Sequence, residues 1–472
     1  MQSVATRSNG ALAVGLGGLV VAASLLMTQH KRADALPAFA QQTGQACTAC
    51  HIGGFGPQLT PFGRAFKLSG YTQSGGSGLA AHIPLSAMLQ GSFTHTNTSL
   101  PAGTQPPTYD TNNNPVFDQA SLFVAGRVTD HTGGFMQITY SNYDSRTTGG
   151  NGLVLDNTDL RPYVTTVQAF GNDLELGITV NNNPTVQDPF NSTFAWGYPY
   201  FTPKIAPGPT AATMLSGAAT VGPNFAGNSI GVTAYAWYNE HLYLEFGAYE
   251  GMSSWLGNRL GVGQGPITPN LAPYARIAYE WDWGNNAAWV GALFMYANID
   301  PQFGTGYDSY TDYGMDAGYQ FLGTGTNVVT VQGIMVHERQ DLRGSTAAYN
   351  ANNGTSVGTT YGLNSFTVNA QYWYKNTYGL TVAWQTLWGS DNPVLYSTLA
   401  PSGAGFNATG SPNSNSFTVE ADWVPFGKDK SLFRPWANLK LGVGYTAFTE
   451  LDGVSSSASN NDTFYLFAWT AF

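Results

Sequence analysis

The two cysteines of this 472-residue chain stand three positions apart, in Cys47-Thr48-Ala49-Cys50, and a histidine, His51, follows at once. At that spacing two thiols can add across the vinyl groups of one haem while the adjacent imidazole takes the iron as its proximal ligand. The leading chemistry is therefore covalent attachment of a single haem c. Two other chemistries use the same spacing. A redox dithiol wants a thioredoxin-like βαβ surround, and half of a zinc site wants a second pair of Cys or His. The sequence offers neither, because the remaining histidines, His30, His82, His95, His131, His241 and His337, are scattered singly.

The residues that could serve such a haem lie close by. Thr60-Pro61 is a helix start, with a capping hydroxyl and proline in the first turn, and Gly70 is a helix stop. On that helix Phe62, Phe66 and Leu68 could pack on the porphyrin, and Arg64 and Lys67 could neutralise its propionates. A solvated helix face would carry the same two cations. The second axial position has two candidates. His82 precedes the first strand, and Met88 lies in it, on the face shared with Ser86, Gln90 and Ser92. Methionine would raise the reduction potential and histidine would lower it; an open or water-ligated iron is the third possibility.

A haem of this kind is attached after export, and the N-terminus carries an export pattern. Arg7 precedes an apolar run from Ala11 to Met27, and Ala33-Asp34-Ala35 fits a signal-peptidase site, so residues 1–35 read as a signal peptide. Lys31 and Arg32 fit that reading poorly. An uncleaved anchor is the alternative, but the run is broken by glycine and short of the roughly 20 residues a spanning helix needs. Charged residues make up 10% of the chain and aromatics 14%, with 57 glycines. Ordinary globular domains carry roughly 25% charge. The formal net charge of −10 argues against nucleic acid as a partner.

From residue 81 onward the chain alternates with period two. Ala275, Ile277, Tyr279, Trp281 and Trp283 share one face while Arg276, Glu280 and Asp282 share the other. Leu244 and Phe246 oppose Glu245; Val419 and Trp423 oppose Glu420 and Asp422; Leu441 and Val443 oppose Lys440. Such a strand separates an apolar environment from a wet one. Sixteen strands are predicted, beginning near residues 83, 115, 134, 158, 173, 229, 241, 272, 286, 309, 327, 361, 378, 415, 435 and 462. Their connections alternate between tight turns, such as Asn239 to His241, and long Gly, Asn, Ser and Thr-rich loops, such as Asn181 to Asn228. A soluble β-sandwich has no reason to sort its loops in this way. The chain closes on an uncharged aromatic strand ending in Phe472, which resembles the assembly signal of outer-membrane barrels. As a bare sheet edge it would invite aggregation.

The expected fold is all-β: a 16-stranded antiparallel outer-membrane barrel at residues 81–472, preceded by a small helical c-type haem segment at 36–80 that plugs or caps the lumen. So short a segment must borrow walls from the barrel. The inward side chains Arg276, Glu280, Asp282, Glu245, Glu420, Asp422 and Lys440 would either contact the plug or solvate a channel.

Residues Leu36 to His51, LPAFAQQTGQACTACH, followed by Leu59 to Thr72, LTPFGRAFKLSGYT, resemble the outer-membrane monohaem cytochrome c–porin fusion family of iron-oxidising bacteria. The insert Ile52 to Pro57 has no clear counterpart there, and beyond residue 72 the resemblance is only to a barrel of that length. The resemblance implies a bacterial outer-membrane protein, embedded in lipid, whose single covalent haem takes electrons from extracellular Fe(II). It also implies a periplasmic electron acceptor such as a cytochrome c or copper protein, and hence an Fe(II):cytochrome c oxidoreductase activity. Asp188, Glu250, Asp300, Asp391, Glu450 and Asp452 are loop carboxylates that could meet iron, or simply solvate the loops. The competing functions are a haem-bearing porin and a conduit for another extracellular donor.

Overall fold

The computed structural model describes residues 38–78, 82–101, 109–141, 153–192, 201–215, 221–402, 406–428, 431–433 and 437–472. The signal peptide expected at residues 1–35 lies outside them. Sixteen strands alternate direction along the chain: β1 (Leu85–Thr96), β2 (Asn114–Arg127), β3 (Gly133–Tyr140), β4 (Leu153–Ala169), β5 (Asn172–Asn181), β6 (Ser229–Tyr238), β7 (Leu242–Gly251) and β8 (Ala272–Trp283). The second half continues with β9 (Asn286–Ile299), β10 (Asp308–Phe321), β11 (Asn327–Asp341), β12 (Thr360–Tyr374), β13 (Tyr378–Gly389), β14 (Ser414–Trp423), β15 (Asn438–Glu450) and β16 (Thr463–Ala471). Each pairs with its chain neighbours, and β1 pairs with β16 from Met88↔Ala471 to Thr96↔Thr463, so the sheet closes into a barrel. Closure satisfies the edge that the aromatic C-terminal strand would otherwise expose.

The predicted faces separate across the wall. On β8, Ile277, Tyr279, Trp281 and Trp283 point outward while Tyr274, Arg276, Ala278 and Glu280 are buried in the lumen. Leu244, Phe246, Val419 and Val443 likewise line the outside, with Glu245, Glu420 and Lys440 inside. Asp282 is exposed, because β8 is leaving the lumen at the turn to β9. A closed barrel with an apolar exterior and a polar interior is suited to a lipid bilayer and to no aqueous compartment. The protein is a barrel of the bacterial outer membrane. Among the described residues no helix is long and apolar enough to cross a membrane.

Short connections join β2 to β3, β4 to β5 and the other even–odd pairs, most of them tight turns and the longest the 424–437 stretch between β14 and β15, and both ends of the barrel chain lie at that rim, which is the periplasmic one in barrels of this kind. The other rim carries the long loops, including α4 (Ser254–Leu260) and α5 (Arg343–Asn353), which follow three helices at the N-terminus: α1 (Ala38–Thr43), α2 (Cys47–Cys50) and α3 (Pro61–Leu68). Much of the interior is filled. Inward aromatics lie over glycines of the next strand: a Cβ on Gly231 would meet the Tyr249 ring at 2.1 Å, and one on Gly444 would meet Tyr465 at 2.1 Å. The described residues of the loop between β5 and β6 also fold inward, with Phe225, Met214 and Leu215 in an apolar cluster with Tyr249, Tyr274 and Tyr310 of the wall. Its backbone is pinned where Met214 N donates to Glu338 (2.8 Å) and Leu215 N to Asp312 (2.9 Å).

Candidate functional site

Cys47 and Cys50 open and close a single helical turn, sealed by the His51 N–H donating to the Cys47 carbonyl at 2.8 Å. The turn is held at the short-turn rim. Thr48 N donates to Gly427 O (3.2 Å) in the β14–β15 connection, and Asn438 Nδ2 donates to Gly54 O (2.6 Å). Gly53 and Gly54, at φ 65° and 73°, occupy the left-handed region. A side chain on Gly53 would also collide with Trp373, the ideal Cβ lying 2.3 Å from the ring. This insert lets the chain reverse so that α3 returns against the cysteine turn.

Helix α3 forms as its caps predict. Thr60 Oγ1 accepts from Gly63 N (3.1 Å), Pro61 occupies the first turn, and Gly70 at φ 74° carries the chain onward. Gly63 lies against Cys50, where a Cβ would meet the carbonyl oxygen at 2.3 Å. The helix is tied to the wall by Arg64. Its guanidinium makes a bidentate pair with Glu280 of β8, donates to Leu59 O (2.7 Å) and Gln320 (3.2 Å), and stacks on Trp289 and on Phe190 of the 182–228 loop. Tyr71 donates to Asp159 at 2.7 Å, and Gln58 donates to Gln332 at 3.0 Å.

These contacts leave a cavity of about 780 Å³ between the segment, the loop and the wall, within the range of roughly 300–1,000 Å³ typical of ligand sites. Cys47, Cys50 and His51 all line it. Phe39, Phe66 and Tyr71 form an aromatic wall, with Phe39 stacked on Tyr71 at 5.1 Å and edge-on to Phe66 at 5.0 Å. Phe55 packs edge-on to Trp469 at 4.8 Å on another side. The electrostatics follow from burial. Desolvation lowers the His51 pKa to about 4, keeping the imidazole neutral, and its Nδ1 is buried without a hydrogen-bond partner. Burial, with the neighbouring Cys47, raises the Cys50 thiol to about 12, a poor setting for the low-pKa thiolate of a redox dithiol. Burial also lowers Lys67 to about 8, opposed by Asp159 and other carboxylates; its ammonium donates to Val186 O (2.5 Å) and Asp188 O (3.0 Å). Among the described residues no group of three or more His, Cys, Asp and Glu is arranged to hold a metal ion.

The residues named from the sequence do not all meet. Phe66, Lys67 and Met88 share the cavity wall with Cys47, Cys50 and His51. Arg64 is turned to Glu280, away from that wall, and Phe62, 40% exposed, lines a smaller cavity at the short-turn rim. His82 is exposed and off the wall, whereas Met88 is buried beside Phe201, Phe467 and Trp469. Of the loop carboxylates, Asp188 is buried against Arg276 (3.0 Å), Asp452 accepts from Thr210 (2.6 Å), and Glu250 and Glu450 belong to strands β7 and β15. Sequence reasoning missed the wall residues Gln137 and Asp156 and the inward course of the 182–228 loop. Phe190, Phe201 and Phe225, apolar residues in a stretch read as a solvated loop, were the available signal.

These residues fit a haem c: two thiols and a neutral imidazole on one wall, aromatic surfaces around them and a buried lysine beside them. No protein-family model matches the chain, and no characterised protein sequence matches it. Solved structures do. The chain is similar to the loop L8 deletion mutant of the Vibrio cholerae outer-membrane protein OmpT, at 11% identity over 82% of this chain and 98% of that one, with a TM-score of 0.42. Salmonella typhi OmpF in complex with daunomycin gives 12%, 82%, 97% and 0.45. The anion-selective porin of Comamonas acidovorans gives 10%, 82%, 98% and 0.42.

Proposed function

We propose that this barrel is an outer-membrane electron-transfer protein. In this reading Cys47 and Cys50 would bond one haem c and His51 would ligate it, and the protein would take electrons from extracellular Fe(II) and yield them to a periplasmic cytochrome c or copper protein. The observation that carries the reading is the convergence of both thiols and the buried imidazole on one aromatic-lined cavity inside the lumen, on the short-turn side. A haem held there supplies a one-electron iron couple. The chain's own contribution is to hold, shelter and insulate. Phe39, Phe66, Tyr71 and Trp469 exclude water, Lys67 offers positive charge to a propionate, and the Arg64–Glu280 pair fixes α3 to the wall. The physical benefit is that an electron can reach the periplasm while precipitating Fe(III) is not carried into it.

The test is stopped-flow absorbance of the oxidised, detergent-held protein mixed anaerobically with Fe(II). Reduction that scales with Fe(II) and disappears in His51→Ala is expected. A haem that dithionite reduces and Fe(II) does not would overturn the iron donor, and absence of covalent haem would overturn the whole reading.

A further inference from the structure

The same cavity has a polar arm. It runs along the inner faces of β3 and β4 toward the long-loop rim, where Gln137, Asp156, Asn157 and Asn183 line it. A bulge builds this wall. Met136 pairs with Thr158 and Ile138 pairs with Leu155, so Asp156 and Asn157 together oppose Gln137 alone. Bulges of this kind re-aim side chains, and they recur beside functional sites.

The hydrogen bonds show which atoms already have partners, Asp156 Oδ1 accepting from Asn157 N at 2.9 Å. Thr139 Oγ1 gives its proton to Asp156 Oδ2 (2.8 Å), so toward Gln137 Nε2 (3.2 Å) it can only accept. The same amide nitrogen also donates to Ser121 Oγ (3.1 Å). Both amide protons are thereby used, and the oxygen is left. Gln137 is 1% exposed and lines the cavity, yet its Oε1 is buried with no hydrogen-bond partner. A buried acceptor without a donor costs about 1–3 kcal/mol by itself, and a cation would satisfy it. Asp156 is the one carboxylate among the described residues that line the cavity.

We propose that Gln137 Oε1 and the Asp156 carboxylate, aimed together by the bulge, form an exchangeable oxygen-donor site for a divalent cation, taking Fe(II) as substrate between the outer loops and the Cys47–His51 wall. The identification of the cation as Fe(II) rests on the electron-transfer reading above; the cation site itself does not. One carboxylate and one amide oxygen, completed by water, suit a hard or borderline divalent ion and bind it loosely. Loose binding is what a substrate that must leave oxidised requires.

Mn(II) is the probe. Its free-ion EPR signal is titrated against the full-length, detergent-held protein, with covalent haem measured on the same samples as the pyridine haemochrome and folding checked by heat-modifiable gel mobility. Asp156→Asn is expected to weaken Mn(II) binding by about tenfold or more, and Gln137→Met to weaken it in the same direction, with Asp110→Asn, an exposed carboxylate away from the cavity, unchanged. Anaerobic Fe(II) should displace the bound Mn(II). Wild-type binding in both folded variants would overturn the site, as would wild-type binding in Gln137→Met if Asp156→Asn does not fold. Mn(II) binding that depends on Asp156 in protein lacking haem would sink the electron-transfer reading and keep the site. Haem present with Mn(II) binding indifferent to both residues would do the reverse.

Discussion

Arg64 shows how a residue can serve a site without touching it. Its guanidinium is wholly buried, paired with Glu280 and sandwiched near Phe190 and Trp289. Removing one partner of such a pair leaves a buried charge uncompensated, at a cost of about 3–5 kcal/mol, whereas replacing both by apolar groups of similar volume is often near neutral. Arg64→Ala should therefore accelerate hydrogen exchange across Pro61–Leu68 strongly, and Arg64→Met with Glu280→Leu should restore much of the protection. Equal exchange in the two variants would show that the pair does not anchor the helix. The thiols offer a second residue-scale prediction. Changing Cys47 and Cys50 together to serine should abolish the haem that survives acid–acetone extraction, and either change alone should leave a singly attached haem with a shifted α-band.

At the scale of elements, α3 depends on its first turn and on its approach to the cysteine turn. Thr60→Ala removes the cap to Gly63 N and should destabilise the helix by about 1 kcal/mol, read as roughly fivefold faster exchange there at unchanged barrel mobility on gels. Gly63→Ala should do more damage to cofactor attachment than to the barrel, because the new Cβ would press on the Cys50 carbonyl. A lowered haem-to-protein ratio with normal heat-modifiable mobility is the expected outcome. The 182–228 loop is the other element that matters here. Asp188 and Ser192 meet Arg276 and Asp316 of the wall, and Lys67 reaches the loop's carbonyls, so segment, loop and barrel share one network.

At the scale of the molecule, the barrel answers to its two solvents. An arginine at Val419, on the lipid face of β14, should cost about 2–4 kcal/mol near the bilayer midplane. The same change at an exposed loop position such as Ser456 should cost little. Urea titrations of refolding into vesicles would measure the difference, and equal costs would mean that the outward face of β14 does not contact lipid. Closure through β1 and β16 makes the C-terminal strand part of this account: deleting 463–472 should prevent assembly rather than produce a barrel with one strand fewer.

The alternation of Ile277, Tyr279 and Trp281 with Arg276 and Glu280, and the sorting of turns from loops, determined the barrel and its strand count, because a strand between lipid and lumen writes its environment into every second residue. The helix at Thr60–Gly70 was legible for a similar reason, since caps act within one turn. What the segment touches was decided only by tertiary structure. Arg64 meets Glu280 across 216 positions of sequence, Gln58 meets Gln332 across 274, and the bulge that opposes Gln137 to Asp156 leaves no period to read. Contacts of that range arise from the closed wall and the folded loop acting together. Local chemistry could name Cys47, Cys50 and His51, but only the packed lumen could turn Arg64 away from their cavity and bring Met88, Lys67 and Asp156 to its wall.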